Sequence, residues 1–150
     1  MAVSFFYLSK YKPFRKTAPV KKWIEKTATT EKKSIGTINI IFCSDEYLLQ
    51  INRQSLNHDY YTDIITFDYS SPKKISGDLY ISTDRVRDNA RSLIVPVQQE
   101  FQRVVIHGVL HLIGYKDGNE QQQKIMRKKE DEYLEKFTPH FKIEKIKINK

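Results

Sequence analysis

The chain has 150 residues, of which 39% are hydrophobic and 29% charged, with only five Gly and five Pro. That length and balance suit one globular domain over residues 1–150 and exclude a fibrous or wholly disordered chain. Lys and Arg number 26 against 18 Asp and Glu, a formal net charge of +8, which favours polyanionic partners such as nucleic acid through counterion release, although a solvated lysine surface gives the same balance.

Val3 to Leu8 reads as a short strand, and Ser9 to Pro19 as a basic, turn-like stretch. MAVSFFYLSKYK has neither the basic leader of a secretory signal nor an uninterrupted apolar span, so the expectation is a cytoplasmic protein without membrane attachment. Val20, Trp23, Ile24, Thr27 and Ala28 recur at helical spacing and predict an amphipathic helix ending before Glu31. Ile35 to Phe42 is nearly continuous in apolar residues after Thr37, as in an interior strand covered on both faces. The lone Cys43 follows as a small buried thiol, and one cysteine cannot build an internal disulfide framework.

Ser44 offers an N-cap, with Asp45 and Glu46 in the first turn and Tyr47, Leu48 and Ile51 on one face of a second helix. NHDYYT (57–62) is turn-like. Asp63 to Tyr69 and Gly77 to Ser82 read as two further strands. A polar helix from Thr83 to Leu93 carries Val86, Ala90 and Leu93 on one stripe. Pro96 then marks a helix start, and from Val97 to about Ile113 the apolar positions Phe101, Val104, Val105, Gly108, Val109 and Leu112 cover so much of the circumference that this helix must be central and largely buried. Gly114 stops it, and Asn119 with Gln122 resembles a capping box for a last helix through about Leu134, carrying Ile125, Met126, Lys129 and Tyr133. Phe141 to Ile148 is either an added edge strand or a loose basic arm. Together these elements predict the α+β class: a small mixed sheet of about four strands packed with helices.

Ionisable rings in the apolar stretch HGVLHLIGYKDG (107–118) need a reason. On a helix, His107 and His111 stand on one face, about 6 Å apart at Cβ, so both imidazoles can reach one ion. If Gly114 turns the chain back, Asp117 supplies a third ligand and leaves one zinc position open. The spacing HxxxHxxGxxD is the skeleton of the metalloprotease pattern HExxHxxGxxH, with Gly108 in place of the glutamate. Without that glutamate, proteolysis loses its base. Gly108 also removes a side chain next to the ion, which is expected to admit a bulky sugar-phosphate backbone. Histidines bonded to carbonyls in an apolar core are the competing structural explanation. The turn glycine and the carboxylate in register favour a metal.

HGVLHLIGYKD (107–117) resembles the signature HGxLHLxGYDH of the YbeY family of bacterial endoribonucleases. TDIITF (62–67) is similar to that family's PTDVLSF segment, GDLYIS (77–82) to its GDIxIS segment, and Met126 with Glu130 to its MxxxE helix. The resemblance implies a zinc-dependent, single-strand-specific endoribonuclease that acts in ribosomal RNA maturation, including 16S ribosomal RNA processing, and in ribosome quality control. Its partners would be ribosomal RNA and the ribosome, and one Zn²⁺ per chain would be held by His107 and His111, with Asp117 where the family usually has histidine. A ribosome-associated RNA-binding factor whose metal is only structural is the alternative. The family's YRGKDxPT appears as SLNHDYYT (55–62), which puts Leu56 and His58 at its arginine and lysine positions. Arg53 is then a candidate phosphate contact or a surface arginine without a role, and His58 a candidate acid or base or simply a turn residue. A basic groove beside the metal is expected to take the RNA.

Overall fold

The computed structural model describes residues 2–58 and 60–137. The stretch Phe141 to Ile148, for which a strand or an arm was expected, lies outside them. The elements run β1 (Ala2–Tyr7), α1 (Ala18–Thr30), β2 (Ser34–Cys43), α2 (Asp45–Leu56), β3 (Ile64–Asp68), β4 (Lys74–Ser82), α3 (Thr83–Leu93), α4 (Val97–Ile113) and α5 (Glu120–Phe137). The α+β expectation holds, with a four-stranded mixed sheet in the order β1-β2-β4-β3. β1 and β4 flank β2 in parallel, while β3 closes the edge antiparallel to β4. β4 begins three residues earlier than its apolar pattern suggests, because Lys74 and Ile75 pair with Ser34 and Ile35 ahead of an irregularity in register.

Alternation along the strands divides the interior. Ile38, Ile40 and Phe42 of β2 and Ile75, Leu79 and Ile81 of β4 join the main core, which α1, α3, α4 and α5 complete. On the opposite face, Cys43, Leu48 and Ile65 form a smaller cluster under α2. Both faces of β2 are thus covered, which is why its sequence is apolar almost throughout.

Local chemistry sets the helix boundaries. The side chain of Ser44 accepts from the Tyr47 amide, and that of Ser82 from the Arg85 amide, capping α2 and α3. Asn119 Oδ1 accepts the Gln122 amide at 2.8 Å, while Gln122 Oε1 reaches back to the Gly118 amide, one residue ahead of the usual capping-box donor. Gly114 ends α4 at φ 126°, a conformation that side-chain-bearing residues rarely adopt. Leu93 and Ile125 do not join the apolar stripes expected of them: both are exposed, because nothing among the described residues packs over those faces of α3 and α5. Among the described residues no helix is long and apolar enough to cross a membrane.

α4 is the central helix, and even Glu100, Gln102 and Arg103 are buried on it. A Cβ on Gly108 would lie 2.9 Å from Ile64 Cδ1 and 2.9 Å from Leu79 Cδ1. The glycine therefore lets α4 lie close against β3 and β4. This corrects the expectation that Gly108 clears space for substrate: the missing side chain faces the core.

Candidate metal centre

With Gly108 pressed against the sheet, the neighbouring His107 and the later His111 stand along the side of α4, and the turn at Gly114 brings Asp117 back toward them. The three residues expected to share an ion do converge. His107 Nε2 and His111 Nε2 are 3.0 Å apart, and Asp117 Oδ2 lies 3.3 Å from each. All three are partly buried, and together they form the one group among the described residues with the makings of a metal site.

The outer nitrogens decide what those inner atoms are. His107 Nδ1 lies 2.6 Å from Glu130 Oε2, and His111 Nδ1 lies 3.0 Å from the Tyr115 carbonyl oxygen. Both partners are acceptors, so each Nδ1 carries the proton and each Nε2 presents a lone pair. Two lone pairs and a carboxylate oxygen then face one another, an arrangement that calls for a cation between them. A tetrahedral ion with ligands at about 2.0–2.1 Å separates its ligand atoms by about 3.3 Å, and the observed triangle has that size. The donor set therefore fits a divalent metal.

Support extends outward from each ring. Glu130 of α5 also accepts from Arg103 Nη1 at 2.8 Å, while Arg103 Nη2 reaches Asp131 at 2.7 Å. Burial alone would raise the Glu130 pKa, but the contacts with His107 and Arg103 outweigh it and hold the carboxyl below its ordinary value. For His107, burial alone would lower the pKa, yet the Glu130 hydrogen bond and charge, with Asp117 and Asp63 behind them, raise it. The same negative surroundings attract a metal cation. On the other side, the Tyr115 hydroxyl donates to Glu31 Oε1 at 2.8 Å, and Glu31 also receives Lys129 and the Tyr133 hydroxyl. Tyr115, which orients His111 through its carbonyl, is thus anchored to the end of α1.

A groove on one side of the cluster is lined by His58, Thr66 and Lys116, and a cavity on the other by Glu100, Arg103 and Arg127; Asp63, His107 and Asp117 border both. His58 therefore faces the site, with its Nδ1 2.9 Å from the Tyr60 hydroxyl. Arg53 is exposed and lines neither space. Among the described residues, the expected basic groove is not what borders the cluster. Asp63, Glu100, Asp117 and Glu130 outnumber the arginines in the cavity, while Lys124, Arg127 and Lys128 lie on the exposed face of α5. Sequence spacing located the three inner residues but gave no role to Glu130, Tyr115, Glu31 or Glu100. For Glu130 a signal existed: it follows the buried Met126 by four positions and so lies on the covered face of α5.

A family model described as Endoribonuclease YbeY matches residues 9–138. Proteins named Endoribonuclease YbeY are similar over most of the chain: that of Flavobacterium psychrophilum is 49% identical, covering 90% of this chain and 96% of its own. That of Cytophaga hutchinsonii is 51% identical, with 88% and 93% covered. The solution structure of TM1509 from Thermotoga maritima superposes with a TM-score of 0.70 at 26% identity, covering 93% of this chain and 91% of that one.

Proposed function

The chain belongs to the YbeY endoribonuclease family, and on that footing we propose that it is a zinc-dependent endoribonuclease cutting single-stranded segments of ribosomal RNA, with His107, His111 and Asp117 holding one Zn²⁺. Its place is in the maturation of ribosomal RNA, including 16S processing, and in ribosome quality control in the cytoplasm, as one domain spanning residues 1–150. The observation that carries this reading is the triangle of two imidazole nitrogens and one carboxylate oxygen at 3.0, 3.3 and 3.3 Å. Two nitrogens and one oxygen make a donor set used by catalytic zinc sites that keep a fourth position for water or substrate.

Zinc held there supplies Lewis-acid polarisation of a phosphoryl oxygen and a lowered pKa for water. The protein's own residues set the geometry. Glu130 and the Tyr115 carbonyl keep the Nδ1 protons on His107 and His111, so both rings offer their inner nitrogens. The half-exposed Asp117 side chain leaves the cluster open to the groove, where a strand of RNA has access. With Gly108 in place of a glutamate, α4 lacks the base that a metalloprotease carries at that position.

The test pairs elemental analysis with cleavage of single-stranded ribosomal RNA fragments before and after chelation. About one zinc per chain, with cleavage lost on chelation and restored by zinc, is expected; cleavage undiminished in metal-free protein refutes the reading. Asp117→Ala is expected to weaken metal binding about tenfold or more, and Asp117→His to keep it. Equal metal affinity in wild type and Asp117→Ala removes Asp117 from the site.

A further inference from the structure

The cavity on the far side of His107 has a volume of about 310 Å³, at the lower end of the roughly 300–1,000 Å³ typical of small-molecule sites. Glu100, only 7% exposed, lines it. Among the described residues no hydrogen bond or ion pair holds that carboxylate. Arg103, one helical turn further on, directs its two amino groups to Glu130 and Asp131 instead. The Glu100 oxygens are not sealed off from the cavity, so a ligand entering there can supply the donor they lack. Burial raises the pKa of Glu100, and also that of Asp63, which borders the same cavity and accepts from the backbone amides of Asp63 and Ile64. The remaining walls include the apolar side chains of Ile64, Val104 and Met126, and the exposed Arg127 also borders the cavity.

We propose that this cavity is a nucleobase subsite in which Glu100 accepts the N1–H and N2–H donors of a guanine unstacked from the RNA strand that crosses the metal cluster. The inference rests on the cluster being the RNA-cleaving centre. Ile64, Val104 and Met126 give a flat ring some apolar surface in a lining that is otherwise polar or charged, and proteins read single-stranded RNA by splaying bases out and bonding to their Watson–Crick edges. Guanine places two N–H donors side by side, matching the two oxygens of one carboxylate. Uracil offers one N–H between two carbonyl oxygens, which a carboxylate repels. Arg127 is positioned to cover the base or meet its phosphate. A second metal fits less well, because two arginines share the space and, among the described residues, its carboxylates do not gather into a three-ligand group.

The experiment uses the zinc-loaded full chain and short single-stranded RNAs in which one guanine is moved position by position, each compared with the same RNA carrying inosine, which lacks only the N2 amine. Binding is followed by fluorescence anisotropy and cutting by gel. At one position wild type is expected to prefer guanine about tenfold or more, the loss of one hydrogen bond to a charged acceptor. The guanine-to-inosine ratio should fall to about one in Glu100→Gln, checked for its melting temperature and zinc content. A wild-type ratio near one at every position, or a preference kept in Glu100→Gln, overturns the proposal. RNA cut without preference leaves the nuclease reading standing and removes the subsite. Guanine-selective binding without cutting supports the subsite and removes the nuclease reading.

Discussion

Replacing Glu130 with glutamine separates a residue that tunes the metal from one that merely fills space. The Glu130 side chain is 6% exposed and accepts from His107 at 2.6 Å and from Arg103 at 2.8 Å. Glutamine keeps the shape but loses the charge, and its one acceptor oxygen cannot serve both donors. A bond to a charged acceptor contributes about 1.5–3 kcal/mol against about 0.5–1.5 for a neutral one, so two weakened bonds cost the metal-free fold roughly 2–3 kcal/mol. Arg103 keeps Asp131 at 2.7 Å, which limits the loss. With the proton on His107 no longer fixed by a carboxylate, metal affinity should fall by about 10–100-fold, or roughly 1.4–2.7 kcal/mol. Chelator competition at neutral pH reads this directly. Melting with and without zinc reads it again: for a chain of this size about 2–4 °C accompanies each kcal/mol, so the zinc-induced rise in Tm should shrink by roughly 3–11 °C. Should zinc-free and zinc-loaded Tm fall equally, with competition unchanged, Glu130 only holds the fold together and its assigned role is wrong.

In Gly108→Ala, overpacking against Ile64 and Leu79 costs about 1–3 kcal/mol, while helix propensity returns about 1; urea unfolding should show a net loss of roughly 0–2 kcal/mol. A clearly stabilised variant would refute the close packing. For Glu31, burial alone would raise the pKa, but hydrogen bonds from Tyr133, Tyr115 and Lys129 hold it below the ordinary glutamate value. Its folded pKa lies below the unfolded one, so its contribution is full above about pH 4.3 and is lost as pH falls through the folded value. Wild-type stability should therefore decline more steeply below about pH 5 than that of Glu31→Gln, and parallel curves would count against the coupling. Burial pushes the Cys43 thiol up to about 12, with Asp84 and Asp45 adding to it; a thiol reagent at pH 8 should label it only after denaturation, and rapid labelling of folded protein contradicts its burial.

The sequence by itself determined the local elements and the three inner residues. Periodicity and capping placed α3 and α4 at their observed bounds, because the hydrogen bonds that start and stop a helix lie within a few residues of one another. The spacing His107, His111, Asp117 sufficed for the cluster because one helical face and one glycine turn bring those atoms together. Tertiary structure alone decided the strand order, with β3 turned antiparallel at the edge, since alternation says which face is buried and not which segment covers it. It also decided that Gly108 serves the core, that Glu130 and Tyr115 orient the rings, and that Glu100 lines a cavity with no hydrogen-bond donor to it among the described residues. Glu130 meets His107 only because α5 packs against α4, and Glu31 meets Tyr115 across 84 positions of chain. Such pairings depend on where helices cross, a property of the packed molecule that no single window of sequence contains.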